Sequence, residues 1–166
     1  MALLQMLSLV VAALTVGLMA GVFFSYAVAV MPGLGRTDDR TFVGAFQAMD
    51  RAIMNPLFLA VFVGALLLTL LAGVLHLTED ARPAVPWIAA AFVLYLATFV
   101  ITVRVNVPLN DAIKAAGEPD RIDAAAVRAQ FGEGTWVRWN IVRTVLTTAA
   151  LGCLVGALAV FGRATG

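Results

Sequence analysis

Tryptophan, asparagine and arginine recur at helical spacing near residue 140. Trp136, Trp139, Asn140 and Arg143 stand at offsets of zero, three, four and seven, so an α-helix carries them on one stripe. Arg143 lies a full turn inside an apolar segment, where an arginine is costly unless it faces the protein interior and is paired. The stripe therefore predicts an inward-facing site that combines a cation, an amide and aromatic rings.

Two more polar clusters interrupt the apolar sequence. Their candidate site residues are Gln47, Asp50 and Asn55 before Pro56, and Arg104, Asn106, Asn110 and Asp111 around Pro108. Asp50 and Asp111 are the candidate ion partners of Arg143. Convergence of three clusters predicts one pocket lined by polar groups. The alternative is structural: the tryptophans form an interfacial belt, and Arg104 and Asn106 are ordinary polar groups at the end of a helix.

Metal and nucleotide chemistry find little support in the sequence. His76 is the only histidine and Cys153 the only cysteine, and neither has another such residue nearby. Zinc, copper and haem sites need several of these side chains together. There is also no P-loop or dinucleotide fingerprint. We therefore predict no metal ligands and no bound cofactor.

Four stretches without charged side chains must position the polar clusters. They cover 1–35, 52–78, 83–103 and 144–162. Each is long enough to cross a bilayer core, and in lipid the backbone must then be helical. The chain is 62% hydrophobic and only 13% charged, unlike a soluble domain. A net charge of +1 gives no reason to expect nucleic acid.

These observations predict an all-α integral membrane four-helix bundle with helical extensions on the cytoplasmic side. The whole chain, 1–166, is one transmembrane domain. Its predicted helices cover approximately 3–31, 41–77 with a kink near 56, 84–110 and 135–162. The two long connections, with the helix ends beside them, carry nine of the eleven arginine and lysine residues. The positive-inside rule places these connections in the cytoplasm and both termini outside.

At these polar residues the sequence resembles the anthrone oxygenase family. The resemblance extends from about Gly17 to Gly156. It rests on Val30-Met31-Pro32, Phe46-Gln47-Ala48-Met49, Asn55-Pro56, Asn106-Val107-Pro108-Leu109-Asn110 and the stripe from Trp136 to Arg143. Many bacterial members of that family are known only as a domain of unknown function. The resemblance favours a bacterial inner membrane as the location.

The resemblance implies an oxygenase that oxidises a reduced polycyclic phenol of the anthrone type, or another small apolar substrate, without metal or flavin. Anthrone reacts with dioxygen once it has lost a proton and become an enolate. Such an enzyme needs a base, donors at the developing oxyanion and a dry apolar cavity.

Roles for single residues follow from the same resemblance. Arg143 or Arg104 would stabilise the oxyanion, and Asn106, Asn110 and Asn140 would orient the carbonyl. Trp136 or Trp139 would stack on the rings, and Gln47 and Asn55 would contact the substrate. Asp50 or Asp111 would serve as the base.

Two other classes of function stay open at this point. The chain is alternatively a non-catalytic subunit of a larger membrane complex, or a carrier for an amphipathic molecule. An enzyme or a carrier requires the polar cluster to surround a cavity, whereas a subunit requires it to face outward or to be closed by its own side chains. Membrane lipid and a small aromatic substrate are the expected partners, with a homo-oligomer as a further option.

Overall fold

The computed structural model describes residues 1–165, apart from the side chains at 79, 80 and 165. Among these residues every regular element is helical. The helices are α1 (Ala2–Leu34), α2 (Asp39–Ile53), α3 (Pro56–Leu75), α4 (Ala81–Ala115), α5 (Ala124–Phe131) and α6 (Glu133–Thr165). Four helical stretches are long and apolar enough to cross a membrane, and they contain α1, α3, α4 and α6. The prediction of an all-α membrane bundle is confirmed.

The four long helices form a closed ring. α1 packs against α3 and α6, and α4 packs against the same two helices. Small residues such as Ala12, Ala65 and Ala150 are fully buried and let the helix backbones approach. Outward-facing leucines and valines remain exposed, among them Leu57 and Val145. Such apolar outer faces suit contact with lipid.

Gly156 shows how closely α6 and α4 approach. A Cβ atom placed on Gly156 would lie 2.8 Å from Cε3 of Trp87. Real Cβ atoms do not come so close, so only glycine fits here without a shift of the tryptophan ring. Gly156 therefore serves packing within this bundle.

The shorter helices α2 and α5 cover one end of the bundle, which we name the capped end. Phe42, Phe46 and Phe131 form an aromatic core there, with ring centroids 4.7–6.2 Å apart. Arg128 lies over the Phe42 ring and binds the carboxylates of Asp39 and Glu133. This arginine joins the start of α2 to α5 and α6.

The chain breaks completely between α2 and α3, where the sequence predicted only a kink. The Asn55 side chain accepts a hydrogen bond from the N–H of Phe58 at 3.0 Å, so it caps α3. Pro56 follows as the first residue of α3, where its missing N–H does no harm. α2 is capped similarly by Asp38, and hydrogen bonds from Thr41 hold the pKa of the Asp38 carboxyl below its usual value.

Two wide turns interrupt the long helices near the capped end. Tyr26–Val30 in α1 and Thr102–Asn106 in α4 are π-helical. Each is followed after one residue by a proline, Pro32 or Pro108, which cannot donate the usual helical hydrogen bond. Such π-helical turns reorient side chains and are frequent at functional sites.

Candidate functional site

A small cavity lies between α1, α2, α4 and α6 at the depth of the two π-helical turns. Its volume is about 70 Å³. Polar side chains from four helices line it: Tyr26, Asp50, Thr102, Asn106, Asn110, Asn140 and Arg143, together with the indole of Trp136. The structure thus brings together three clusters that are up to 93 residues apart in the sequence, from Asp50 to Arg143.

Arg143 is the cation of this cavity, and only 5% of it is exposed. Its guanidinium donates to Oδ1 of Asn140 at 2.9 Å and to Oγ1 of Thr102 at 3.3 Å. It also lies over the ring of Phe23, with Cζ 4.4 Å from the centroid. Its Nε has no hydrogen-bond partner. Among the side chains that the structure describes, no carboxylate comes within ion-pair distance of it.

The two aspartates expected beside Arg143 pair with a lysine instead. Nζ of Lys114 lies 2.7 Å from Oδ2 of Asp50 and 3.0 Å from Oδ1 of Asp111. Asn110 donates to the other Asp50 oxygen at 2.6 Å. Asp50 therefore pairs with Lys114 and Asn110, and none of the described carboxylates serves as a counter-ion for Arg143. The expected pairing of Arg143 was wrong.

Asn110 links this ion pair to the aromatic wall. Its Oδ1 accepts a hydrogen bond of 2.7 Å from Nε1 of Trp136. The indole ring is 3% exposed and meets Phe46 edge-on at 5.7 Å. Trp136 is thus an interior residue, whereas the interfacial alternative would leave it at the surface.

Two asparagines complete the polar wall. Asn140 donates to the carbonyl of Phe23 at 3.0 Å. Asn106 donates weakly to the carbonyl of Trp136, at 3.4 Å, and its Oδ1 has no partner although 99% of the residue is buried. An unpaired buried acceptor and an unpaired buried donor, Nε of Arg143, thus line one cavity. Such groups are costly unless a ligand pairs with them.

Four other residues predicted as substrate contacts do not line the cavity. Gln47 is buried and donates to the carbonyls at the end of α4, at 2.7 and 3.1 Å. Asn55 caps α3, Arg104 is exposed, and Trp139 is only half-buried. Their predicted roles therefore gain no support from position. The alternative for Arg104, a polar group near the end of a helix, matches its exposure.

Sequence reasoning missed Tyr26, Phe23, Thr102 and Lys114. The phenol of Tyr26 lies within electrostatic range of both Asp50 and Arg143. Its ring also packs 5.7 Å from Trp136. A tyrosine in a helix without charged side chains was the available signal. Lys114 follows Asn110 by four residues and so shares its helix face.

Metal-binding side chains do not converge in the described part of the chain. No group of three or more histidine, cysteine, aspartate or glutamate residues was found there that could hold an ion. His76 lies at the opposite end of the bundle, where Nδ1 contacts the carbonyl of Ala72 at 2.7 Å. Cys153 is a free, half-buried thiol.

The fold and the site define a class of membrane protein: a helical bundle with a buried cation in a largely apolar pocket. The chain belongs to the anthrone oxygenase family. The family model described as anthrone oxygenase matches residues 48–153, more than half of the chain, and so confirms the resemblance seen in the sequence. Asp50, Asn106, Asn140 and Arg143 fall within the match, whereas Tyr26 precedes it. No curated protein and no solved structure matches the chain.

Proposed function

We propose that this protein is a membrane-embedded oxygenase that oxidises a polycyclic phenol of the anthrone type in the cavity around Arg143. The observation that carries the proposal is the buried guanidinium of Arg143, which has no carboxylate partner among the described side chains and an unpaired Nε. An uncompensated charge in a low-dielectric site is costly. A substrate oxygen that becomes negative during reaction would compensate it, and would do so most strongly in the transition state.

The proposed reaction consumes dioxygen and releases water. A base removes a proton from the methylene carbon opposite the carbonyl, and the electron pair moves to the carbonyl oxygen, giving an enolate. The enolate carbon is then oxidised by dioxygen and forms a carbon–oxygen bond, and the resulting peroxide anion takes back the proton held by the base, giving a hydroperoxide. Loss of water from the hydroperoxide leaves the quinone, so that two hydrogens of the substrate end in water.

Arg143 holds the enolate oxygen in this proposal, and Asn140 and Asn106 orient it. Asn140 fixes the guanidinium through its own Oδ1, so the donors are set before the charge develops. Asp50 is the proposed base, since it lines the cavity and its carboxylate is held in place by Lys114 and Asn110. Arg143 assists the proton transfer, because its charge stabilises the enolate that forms.

Aromatic rings exclude water from the reacting edge. Phe23, Phe46, Phe58 and Trp136 line the cavity beside the polar groups. Dry surroundings strengthen the attraction between a guanidinium and an oxyanion. The same rings offer faces on which the part of a flat aromatic substrate that enters the cavity stacks.

The capped end faces the cytoplasm in this proposal, and the membrane is a bacterial inner membrane. The support is the excess of arginine and lysine at that end, nine residues against two. Cysteine probes in a Cys153→Ala background test it, one in the connection 76–80 between α3 and α4 and one in the connection 116–123 between α4 and α5. A membrane-impermeant reagent added outside should label the first probe only, and labelling of the second probe only would reverse the orientation.

Oxygen uptake tests the proposed activity. Purified protein in phosphatidylcholine vesicles should consume dioxygen with anthrone and release an equal amount of anthraquinone, in the presence of a strong chelator. Activity that disappears with the chelator and returns with iron or copper would reject the cofactor-free reaction. Binding of anthrone without any turnover would support the carrier alternative.

A further inference from the structure

A long apolar groove on the outer face of α1 leads to the site. Its volume is about 890 Å³, against about 70 Å³ for the cavity around Arg143. It extends along α1 from Val10 to Tyr26, with Leu151 and Leu158 of α6 on the opposite side. Gly21 leaves it open, since a Cβ atom there would meet nothing within 4 Å.

The groove and the cavity share part of their walls. Val22, Tyr26 and Ile53 line both. Tyr26 is the junction, since its ring packs against Trp136 of the cavity and its phenol interacts with the charges of Asp50 and Arg143. The groove therefore ends beside the cavity that Arg143 lines.

The size and polarity of the two spaces are complementary. The cavity is too small for a three-ring molecule, because drug-sized ligands need pockets of roughly 300–1,000 Å³. The groove is large enough, and only Ser25 and Tyr26 contribute polar side chains to it. The Ser25 hydroxyl is already bonded to the carbonyl of Gly21 at 2.8 Å. A ligand in this groove should thus be apolar and carry its polar edge at the Tyr26 end.

We infer that the groove is the route by which substrate reaches the site from the bilayer, and that it holds the part of the ring system for which the cavity has no room. The inference rests on the proposed function and adds the path of the substrate, which enters sideways from the lipid along α1. Binding of the rings in the groove is the same in the ground state and in the transition state, so it should affect KM rather than kcat.

Glycine-to-leucine variants test the route. Gly21→Leu fills the groove without touching the cavity, and Gly17→Leu does so one turn further away. Gly152→Leu is the matched control, because Gly152 is also exposed on a membrane helix with nothing within 4 Å of an added Cβ, but does not line the groove. In phosphatidylcholine vesicles, Gly21→Leu and Gly17→Leu should lower kcat/KM for anthrone about tenfold with kcat unchanged. Gly152→Leu should behave as the wild type.

A second measurement keeps the inference separate from the proposed activity. Quenching of tryptophan fluorescence by anthraquinone, which is not turned over, reports binding in the same vesicles. Weaker binding in the two groove variants would support the route even if anthrone is never oxidised. Equal kcat/KM and equal binding in all variants would overturn it while leaving the oxygenase proposal intact. Loss of a cross-linkable dimer in Gly21→Leu, with unchanged binding, would make the groove a subunit interface and also overturn the route.

Discussion

Replacement of Arg143 by methionine removes the positive charge from the cavity while keeping most of the side-chain volume. Arg143 is buried, with donors directed at Asn140 and Thr102, whereas Arg138 on the same helix is exposed. Loss of one donor at a developing oxyanion costs about 3 kcal/mol, which corresponds to about a hundredfold in kcat. Arg138→Met should leave kcat within about twofold, since it removes only a surface charge.

Stability distinguishes this effect from a damaged fold. Because Arg143 has no carboxylate partner among the described side chains, methionine removes an uncompensated buried charge while leaving Oδ1 of Asn140 without its donor. These changes oppose each other, so the free energy of unfolding should change by less than about 2 kcal/mol. Oxygen uptake with anthrone in vesicles and thermal unfolding in detergent measure the two quantities. Equal kcat in Arg143→Met and Arg138→Met would refute the assigned role, and so would a loss of kcat that only follows a loss of folded protein.

Three further changes have expected outcomes. Lys114→Met should lower the free energy of unfolding by about 2 kcal/mol, because it strips the buried Asp50 carboxylate of its cation while Lys114 itself is 25% exposed; Lys114→Arg should recover most of the loss in a thermal melt. Gly156→Leu should destabilise the bundle by about 2 kcal/mol through its clash with Trp87, whereas Gly152→Leu should not, and unchanged melting of both would contradict the close packing. Asp50→Asn should lower kcat for anthrone about a hundredfold as the proposed base is lost, and an unchanged kcat would transfer that role to another group.

The membrane-spanning helices were predictable because each depends on a property of a single segment. A charge-free stretch of about 19 residues or more has one stable form in lipid, whatever its neighbours are. The stripe of Trp136, Asn140 and Arg143 was predictable for a similar reason, since helical periodicity alone places these residues on one face. Trp139 belongs to the same pattern yet does not line the cavity, because the stripe is wider than the part of α6 that faces inward.

The ion pairing of the site was not predictable, because it depends on how two helices meet. Asp50 and Arg143 both reach the cavity, but Lys114 approaches Asp50 from the end of α4 at 2.7 Å. Nothing in the sequence around Lys114 distinguishes a lysine that pairs with a buried carboxylate from a lysine exposed to solvent. The complete break at Asn55 was also missed, since a proline in a helical pattern is compatible with either a kink or a new start.

Tyr26 shows a different reason for failure. It begins a π-helical turn, and the residues three and four positions away on either side are apolar, so periodicity shows no polar stripe there. Pro32 and Pro108 mark both wide turns in the sequence, but they do not by themselves distinguish a π-helical turn from a kink.

Stabilisation of a bound enolate by Arg143 is the central claim, and an anaerobic absorbance measurement tests it most directly. Anthrone added to the wild-type protein in vesicles without dioxygen should produce the absorption of its enolate up to one equivalent per protein. Admission of dioxygen should then replace that band with the spectrum of anthraquinone. Arg143→Met should produce no enolate under the same conditions. Absence of the band in the wild type, or the same band in both proteins, would contradict the account.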